Sequence, residues 1–260
     1  MIEYPVRLQV YLAKCGVGSR RSCETLISEG HVSVNNKIIR EMGVKINTED
    51  IVQVDLETVE PNEKLYYFAL NKPRGYVCTN YDPNEDRYAR SLITIRDQHL
   101  LFNVGRLDKD SLGLMLFTND GDFAQKVTHP KFEIEKEYLV HTSQDINEKD
   151  LLEAIKGVYI DMKLPYRIKS FEMQTKTWVK VILTEGKNRE IRKIFSYLGY
   201  DIKNLTRIRI GCITLGDLQI GEYRTLTKKE IDGLLSGKTS MYERKKFGAA
   251  KAREKKEKED

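Results

Sequence analysis

The apolar and polar positions of the first 57 residues predict two helices followed by short strands. A first helix is expected to end near Gly16, because apolar side chains recur before it at the spacing of one helix face. A second helix is expected between Ser19, a residue that caps helix N-termini well, and Gly30, a common helix stop. Alternating runs after Gly30, interrupted by Asn35-Asn36, indicate strands joined by tight turns. The order helix, helix, small sheet indicates a separate N-terminal module.

Residues from about 65 to 235 combine many strand patterns with a few helical ones. Strands are predicted over 66–70, 76–79, 112–118, 135–141 and 177–184. Helical spacing is found over 123–128, 148–155 and 189–198. The polar stretch 80–99 has no clear period and is expected to form a long loop that grips a substrate. The predicted fold class is α+β, with flanking helices and a mainly antiparallel mixed sheet in the larger domain.

These patterns divide the chain into four parts. The small module takes residues 1–60, a linker with Pro61 takes 61–64, the larger domain takes 65–235, and a charged tail takes 236–260. Residues 243–260 hold eight Lys or Arg and five Asp or Glu, so they supply +3 of the net charge of +5. The tail has almost no large apolar residue and is predicted to be a frayed helix or a flexible end. The rest of the chain carries only +2, so its overall charge is too small to attract an anionic partner. Binding such a partner requires basic side chains grouped at particular places on the surface.

Composition excludes several classes of protein. The chain has 260 residues, of which 40% are hydrophobic, and this argues against wholesale disorder and for one large or two modest domains. It contains no run of 18 apolar residues and no evident secretory signal, so we expect a cytoplasmic location and no membrane partner. The four cysteines form no Cys-x-x-Cys pair, and we expect them to be buried thiols rather than metal ligands or disulfides.

The stretch 105–116 contains two carboxylates, Asp108 and Asp110, in a short polar interval. The spacing alone leaves three interpretations open. The carboxylates could cap a turn, they could form an Asp-x-Asp metal site, or Asp108 could make an ordinary surface pair with Arg106. A metal site needs further ligands, and the sequence offers no obvious histidine cluster.

Lys136 and Tyr138 would share one face of the strand predicted over 135–141. A tyrosine in such a position is most often a half-buried platform in the core. Its ring can also stack on a nucleobase, an interaction of roughly 1–3 kcal/mol per base.

Two basic clusters are also open to two interpretations. Arg189, Arg192 and Lys193 lie at the start of a predicted helix, and Arg20 and Arg21 lie at the start of another. Such clusters are commonly solvated surface. Cations beside a helix N-terminus also suit the phosphates of RNA.

The N-terminal module resembles the alpha-L RNA-binding motif, first described in a small-subunit ribosomal protein. The matching residues are Arg7-Leu8, 18–22 (Gly-Ser-Arg-Arg-Ser), 29–30 (Glu-Gly) and 32–35 (Val-Ser-Val-Asn). The resemblance implies two helices and a hairpin that present a basic face to structured RNA.

The rest of the chain resembles the RsuA/RluB-type family of ribosomal RNA pseudouridine synthases. The matching blocks are Gly105-Arg-Leu-Asp-x-x-Ser-x-Gly-Leu114, Asn119-Asp-Gly121, His129-Pro-Lys131, Lys136-Glu-Tyr138, Glu185-Gly-x-Asn-Arg-x-Ile-Arg192 and a last block of Ile, Gly, Leu and Arg over 210–226. Six blocks in order behind an RNA-binding module are highly specific. Departures are small: Glu190 stands where many relatives have Gln, and Ser111 where Thr is commoner.

The resemblance implies an isomerase that needs no cofactor and no metal. It assigns the catalytic carboxylate to Asp108, an aromatic platform to Tyr138 and the basic partner of the carboxylate to Arg192. Whether Asp108 attacks the sugar or removes a proton is left open. The expected substrate-binding residues are Arg106, Ile210, Leu215, Arg189, Lys193, Arg20 and Arg21.

The expected partner is ribosomal RNA. Large-subunit RNA is favoured because the stretches 72–75, 109–111 and 123–132 look closer to those of the large-subunit enzymes of the family. A monomer is the expected state. The alternatives are a small-subunit synthase and a ribosome-assembly factor that binds RNA without catalysis. A metal-dependent transferase that uses Asp108 and Asp110 is a third.

Overall fold

The computed structural model describes residues 3–79, 84–160 and 164–237. The chain divides into two compact units, residues 1–65 and 66–260. The finer boundaries at residues 60 and 64 stay a prediction, and the predicted tail lies outside the described residues from 238 onward. In the described parts of the chain, no helix is both long and apolar enough to cross a membrane.

The N-terminal unit has the predicted order of helices and small sheet. Its elements are β1 (Val6–Arg7), α1 (Leu8–Lys14), α2 (Arg20–Glu29), β2 (Val32–Val34), β3 (Lys37–Ile38), β4 (Lys45–Ile46), β5 (Val52–Val54) and β6 (Glu57–Thr58). The strands β3-β2-β5-β6 form an antiparallel sheet, and β1 pairs with β4. Apolar side chains of both helices and of β2, β4 and β5 form one core. Cys23 is fully buried in this core, as expected for a thiol that behaves as a small hydrophobe.

Both predicted boundaries of the second helix are confirmed. The Ser19 side chain accepts a hydrogen bond from the backbone N–H of Ser22, which satisfies one of the free donors at the start of α2. Gly30 ends the helix in the left-handed conformation, with φ +85°. The Arg40 guanidinium donates to the carbonyls of Ser28 and Glu29 and so satisfies acceptors at the end of the helix.

The larger unit is built on one mixed sheet with helices on its sides, as predicted. Its strands are β7 (Tyr67–Lys72), β8 (Phe102–Val104), β9 (Leu112–Thr118), β10 (Lys136–Thr142), β11 (Ser170–Met173), β12 (Trp178–Leu183), β13 (Ile202–Ile210), β14 (Ile213–Thr214) and β15 (Tyr223–Thr225). Its helices are α3 (Gly121–Thr128), α4 (Glu148–Lys156), α5 (Glu190–Tyr197) and α6 (Lys228–Leu235). The strand order is β11-β12-β10-β13-β9-β7-β15, with β14 beside β13 and β8 beside β9. Among the described strands, only β9 and β13 pair in parallel.

Three apolar cores hold this sheet to its surroundings. One joins α4 and α5 to β10, β12 and β13, and a second joins α3 and α6 to β9, β13 and β14. The third packs β7 and β9 against described residues of the segment from Cys78 to Leu107. That segment overlaps the stretch 80–99, which the sequence analysis took as a loop. Its described part instead contains two 3₁₀ turns, Ala89–Leu92 and Gln98–Leu100, and buries Ile93.

Strand β13 is the central element that the sequence analysis missed. Arg207 and Arg209 are both buried in it, at 4% and 8% exposure. Arginine counts as a solvent-facing residue in a hydrophobic pattern. Because two arginines of this strand are buried, its pattern does not indicate a buried strand. The charge of Arg209 is met inside the protein, where it forms ion pairs with Glu135 and Glu137.

The parallel contact between β9 and β13 depends on a glycine. Gly113 has φ +99°, and a Cβ at this position would lie 2.3 Å from the carbonyl oxygen of Arg207. Only glycine therefore allows β13 to approach β9 at Arg207. This contact places the middle of β13 beside the segment that carries Asp108.

Replacing Gly113 by alanine should destabilise the protein by about 3–4 kcal/mol, of which ~1–2 kcal/mol comes from the left-handed backbone and the rest from the clash. Gly199→Ala is the matched control, because Gly199 has φ +85° and its Cβ would meet no described heavy atom within 4 Å. The control should lose only about 1–2 kcal/mol. Denaturant unfolding of both variants measures the difference, and equal losses would contradict the close contact.

Candidate active site

A cavity of about 440 Å³ opens among β10, β13, the segment 104–109 after β8 and the segment 185–189 before α5. A smaller cavity of about 80 Å³ adjoins it and shares Asp108, Tyr138 and Arg189 with it. The described lining of the large cavity has two carboxylates, Asp108 and Glu185, and a larger number of basic side chains. These are Arg106, Lys109, Lys136, Lys187, Arg189 and Arg207. The surplus of positive charge favours an anionic ligand.

Asp108 faces two guanidinium groups across the cavity. Its Oδ2 lies 3.7 Å from Arg192 Nε and 3.7 Å from Arg189 Nη1. Both distances exceed hydrogen-bond length, so the attraction is mainly electrostatic. The Asp108 side chain is 28% exposed and remains accessible from the cavity. A simple surface pair with Arg106, one of the open interpretations, is not the arrangement: Asp108 pairs with the two arginines near α5.

Arg192 is held deep in the site. Burial and the nearby Arg189 lower the pKa of its guanidinium, and Asp108 opposes this shift. Its Nη2 lies 3.5 Å from Ser111 Oγ. Among the described residues, Nε of Arg192 is a buried donor without a hydrogen-bond acceptor. This free donor is the one that faces Asp108, so a small shift of either side chain closes the pair, as is common when a catalytic site binds its substrate.

A buried lysine anchors the segment that carries Asp108. Lys72 is fully buried, and its ammonium donates to the carbonyls of Pro73 at 2.9 Å, Ser111 at 2.8 Å and Lys109 at 3.3 Å. Burial lowers the pKa of this ammonium. All three of its donors are used, so Lys72 ties β7 to the turn just after Asp108. Lys72 was not among the predicted site residues; the available signal was a lysine at the end of an apolar strand.

A β-bulge places residues of β13 in the cavity. Tyr138 pairs with Arg207, whereas Lys136, on the same face of β10, pairs with Ile210. Residues 207 and 210 differ by an odd number, so a regular strand would send them to opposite faces. The irregularity between positions 137 and 138 of β10 places one extra residue, Ile208, on β13, and both side chains therefore line the cavity.

Arg207 supports Tyr138 from below. Its Nε donates to the carbonyl of Leu114 at 2.7 Å, and its Nη2 lies 3.2 Å from Met115 Sδ. The guanidinium carbon lies 6.0 Å from the centre of the Tyr138 ring, within the range of a cation–π contact. Arg207 is thus fixed to β9 and holds the tyrosine at the cavity wall. Sequence reasoning did not find Arg207, because its role depends on a strand that was not predicted.

The turn before α5 aims Arg189 at Asp108. Arg189 has a left-handed backbone, with φ +51° and ψ +34°, and the helix begins at Glu190, one residue later than predicted. The buried Glu190 side chain accepts a hydrogen bond from the backbone N–H of Lys187 at 3.0 Å, which closes the turn. Burial raises the pKa of the Glu190 carboxyl.

The structure brings most of the predicted catalytic-domain residues together. Arg106, Asp108, Tyr138, Arg189 and Ile210 line the large cavity, and Arg192 lines the smaller one.

Two predicted substrate-binding residues are placed elsewhere. Lys193 points to Tyr166, donating to its hydroxyl at 2.9 Å with the ammonium 5.0 Å from the ring centre. Leu215 packs against the apolar core under α3 and α6. Neither belongs to the described lining of the two cavities. Arg20 and Arg21 are exposed at the start of α2 in the N-terminal unit.

The second carboxylate of the Asp-x-Asp pair is not part of the site. Asp110 is exposed and lies outside the described lining of both cavities. In the described ranges, no group of three or more His, Cys, Asp or Glu side chains is placed to hold a metal ion.

The accessible carboxylate of Asp108 lies beside an aromatic ring, in a cavity rich in arginine and lysine, and this arrangement suits chemistry on a polyanion. Comparison with known proteins gives the class. Residues 66–197 match the family model of RNA pseudouridylate synthases, and residues 6–52 match that of the S4 domain. The chain belongs to the RNA pseudouridylate synthase family, with an N-terminal S4 domain, and is therefore an isomerase that acts on RNA.

Individual relatives agree with this assignment. The chain is 40% identical to an uncharacterized RNA pseudouridine synthase of Borreliella burgdorferi, over 88% of this chain and 93% of that protein. It is 36% identical to ribosomal large subunit pseudouridine synthase B of Bacillus subtilis, over 88% of this chain and 95% of that protein. A solved crystal structure of a pseudouridylate synthase superposes with a TM-score of 0.66 at 30% identity, covering 88% of this chain and 99% of that one.

Replacing Lys72 by methionine should lower the free energy of unfolding by about 2–4 kcal/mol, because three buried carbonyl oxygens lose their shared donor. Lys203→Met, on an exposed position of β13, is the control and should change stability by less than about 0.5 kcal/mol. Denaturant unfolding measures both. A Lys72→Met variant as stable as the wild type would mean that the desolvation cost of the ammonium cancels its three hydrogen bonds.

Proposed function

We propose that this protein converts a specific uridine of large-subunit ribosomal RNA into pseudouridine, with Asp108 as the catalytic carboxylate. The observation that carries the proposal is the placement of Asp108 in the cavity, 3.7 Å from two arginines and on the same lining as Tyr138. The named Bacillus subtilis relative supports the choice of large-subunit RNA. We infer a monomer in the cytoplasm.

The reaction requires few groups from the protein. The bond between ribose C1′ and uracil N1 breaks, the base turns, and a bond forms between C1′ and C5 of the same base. C5 loses a proton and N1 gains one, so product and substrate are isomers. The base must first leave the RNA stack and enter a pocket. A volume of about 440 Å³ lies within the usual range for ligand pockets, roughly 300–1,000 Å³.

Asp108 supplies the step at the ribose, either as a nucleophile at a sugar carbon or as a base that removes a proton. Both roles need a carboxylate that is ionised and accessible. Arg189 and Arg192 supply the positive charge that balances the carboxylate in the partly buried site. Once the substrate displaces water, these interactions strengthen because the local dielectric constant falls.

Tyr138 and Ile210 supply surfaces for the flipped base. The tyrosine ring is held at the wall by Arg207, and Ile210 lies across from Lys136 on the neighbouring strand. Stacking of a base on an aromatic ring contributes roughly 1–3 kcal/mol, enough to offset much of the cost of unstacking.

The N-terminal unit supplies affinity for RNA. Arg20 and Arg21 are exposed in the first turn of α2, where the partial positive charge of the helix N-terminus adds to their own. Phosphate contacts of this kind hold RNA without reading its bases.

Asp108→Asn should lower the rate of pseudouridine formation by at least about 10³-fold, because the amide is neither a nucleophile nor a base. RNA affinity should stay within about twofold of wild type. The substitution removes a negative charge that faces the RNA, and so it takes away no attractive contact with the phosphates. Asp110→Asn is the matched control and should keep wild-type activity, as should wild-type protein in EDTA. Pseudouridine mapping in ribosomal RNA from cells that lack the gene and carry each variant measures the result. Turnover by Asp108→Asn near the wild-type rate would exclude the assignment.

Removing Arg20 and Arg21 together by alanine substitution should weaken RNA binding and make its salt dependence less steep. Each lost phosphate contact reduces the slope of log K against log salt by about 0.7–0.9, so the double variant should lose about one to two units. The matched control is Lys228→Ala with Lys229→Ala, two exposed cations at the start of α6. Binding titrations at several salt concentrations give the slopes, and identical slopes for the two double variants would refute the proposed role.

A further inference from the structure

Lys72 is fully buried and Lys136 is half-buried in the catalytic unit, and their hydrogen bonding differs sharply. The ammonium of Lys72 donates to three carbonyl oxygens, which is all that it can do. The ammonium of Lys136 has one described acceptor, the carbonyl of Thr184, at a long 3.4 Å. Within the described parts of the chain, no carboxylate lies within 4 Å of it.

Lys136 lies in the wall of the large cavity, on the same strand face as Tyr138 and opposite Ile210. Lys136 is half-buried in this wall, and an ammonium that is partly withdrawn from bulk water ordinarily has hydrogen-bond partners. Lys72 shows that this fold can supply three carbonyl acceptors to a lysine. The unfilled donors of Lys136 therefore point to an acceptor that arrives with the ligand.

The charged surroundings of Lys136 come from several elements. Burial and Arg207 on β13 lower its pKa to about 8, and Glu190 on α5 opposes the shift. The other ionisable groups that line the same cavity are Tyr138 on its own strand, Cys78 between β7 and β8, and Arg106, Asp108, Lys109, Glu185, Lys187 and Arg189 on the two loops.

We propose that Lys136 is a catalytic residue that binds a carbonyl oxygen of the flipped uracil and stabilises the negative charge on the base while it is detached from the ribose. This role rests on the proposed function. Uracil has two carbonyl oxygens, and both accept hydrogen bonds. An ammonium with unused donors, beside the aromatic ring on which the base stacks, is placed to meet one of them.

The step balances without a further reactant. When the bond between C1′ and N1 breaks, both electrons stay with the base, which then carries one negative charge spread over its ring and oxygens. The charge is consumed when C5 bonds to C1′. The C5 proton leaves and N1 takes up a proton, so Lys136 stabilises the intermediate and is unchanged at the end.

Two other roles for Lys136 would give different results. A lysine that only fills space would be replaced by methionine without loss of activity. A lysine that binds an RNA phosphate would affect affinity and its salt dependence rather than the rate of the bound complex. The experiment must therefore separate the rate at saturation from binding.

The experiment uses the full-length protein and large-subunit ribosomal RNA transcribed with tritium at uridine C5, which is released to water as the base rejoins through C5. Lys136→Met should lower the single-turnover rate at saturating enzyme by about 10²–10³-fold, the typical loss for one donor to a developing anion. RNA affinity and its salt slope should stay within error. Lys136→Arg should recover part of the rate, and Lys180→Met, on the neighbouring strand β12 and outside both cavity linings, should match wild type.

The pH dependence gives a second readout. Lys136 acts in its charged form, so the wild-type kcat/KM should be full below the pKa of the free enzyme and should fall as the pH rises through about 8. In Lys136→Arg this alkaline fall should move beyond the accessible range, because arginine stays protonated. A fall that stays near pH 8 in Lys136→Arg belongs to another group and overturns the role.

The outcomes separate this inference from the proposed function. If wild-type protein releases tritium and Lys136→Met, folded as judged by circular dichroism, releases it equally fast, only the role of Lys136 is wrong. A loss confined to RNA affinity would assign Lys136 to phosphate binding and likewise overturn it. If wild-type protein releases no tritium from large-subunit or small-subunit RNA, the proposed function is wrong and the role of Lys136 falls with it.

Discussion

The attraction between Asp108 and the two arginines near the start of α5 joins parts of the chain about 80 residues apart, and the site depends on it. Asp108 is positioned by a contact from another strand, and Arg189 by the turn of its own segment. Asp108 follows β8 and is fixed by the bonds of Lys72 to the turn behind it, whereas Arg189 is directed by a left-handed backbone that Glu190 closes. The pair distances of 3.7 Å leave room for adjustment when a substrate expels water.

Several basic side chains of the catalytic unit are buried or half-buried. They differ in how many of their hydrogen-bond donors have an acceptor. All three donors of Lys72 are filled by carbonyls, and Arg207 and Arg209 donate to carbonyls, a sulfur or carboxylates. These three side chains hold strands and turns in place. Arg192 keeps a buried Nε without an acceptor, and the half-buried Lys136 has a single long hydrogen bond at the cavity wall. An unused buried donor costs free energy, so Arg192 is retained at a cost to stability that the scaffold alone does not explain.

The strand scaffold decides which side chains meet. Glycine at position 113 lets β13 approach β9, and the bulge in β13 turns Arg207 and Ile210 to one side. On the opposite face of the same pairing, Glu137 meets Arg209 in a short ion pair. One irregularity therefore supplies both a structural ion pair behind the sheet and the cavity wall in front of it.

The amino-acid sequence determined many of the elements, though not β13, and the candidate chemistry. Helix caps at Ser19 and Gly30 and the apolar run of β9 are local signals, and the Gly105–Leu114 block pointed to Asp108 through its resemblance to a family. The tertiary structure alone decided that Arg207 and Lys72 support the site, that Lys193 turns to Tyr166, and that Asp110 stays outside. These outcomes depend on which buried charges find partners across the sheet. Such pairing is set by contacts between distant segments and by a bulge in the strand register. Neither feature produces a periodic pattern in the sequence from which it could be predicted.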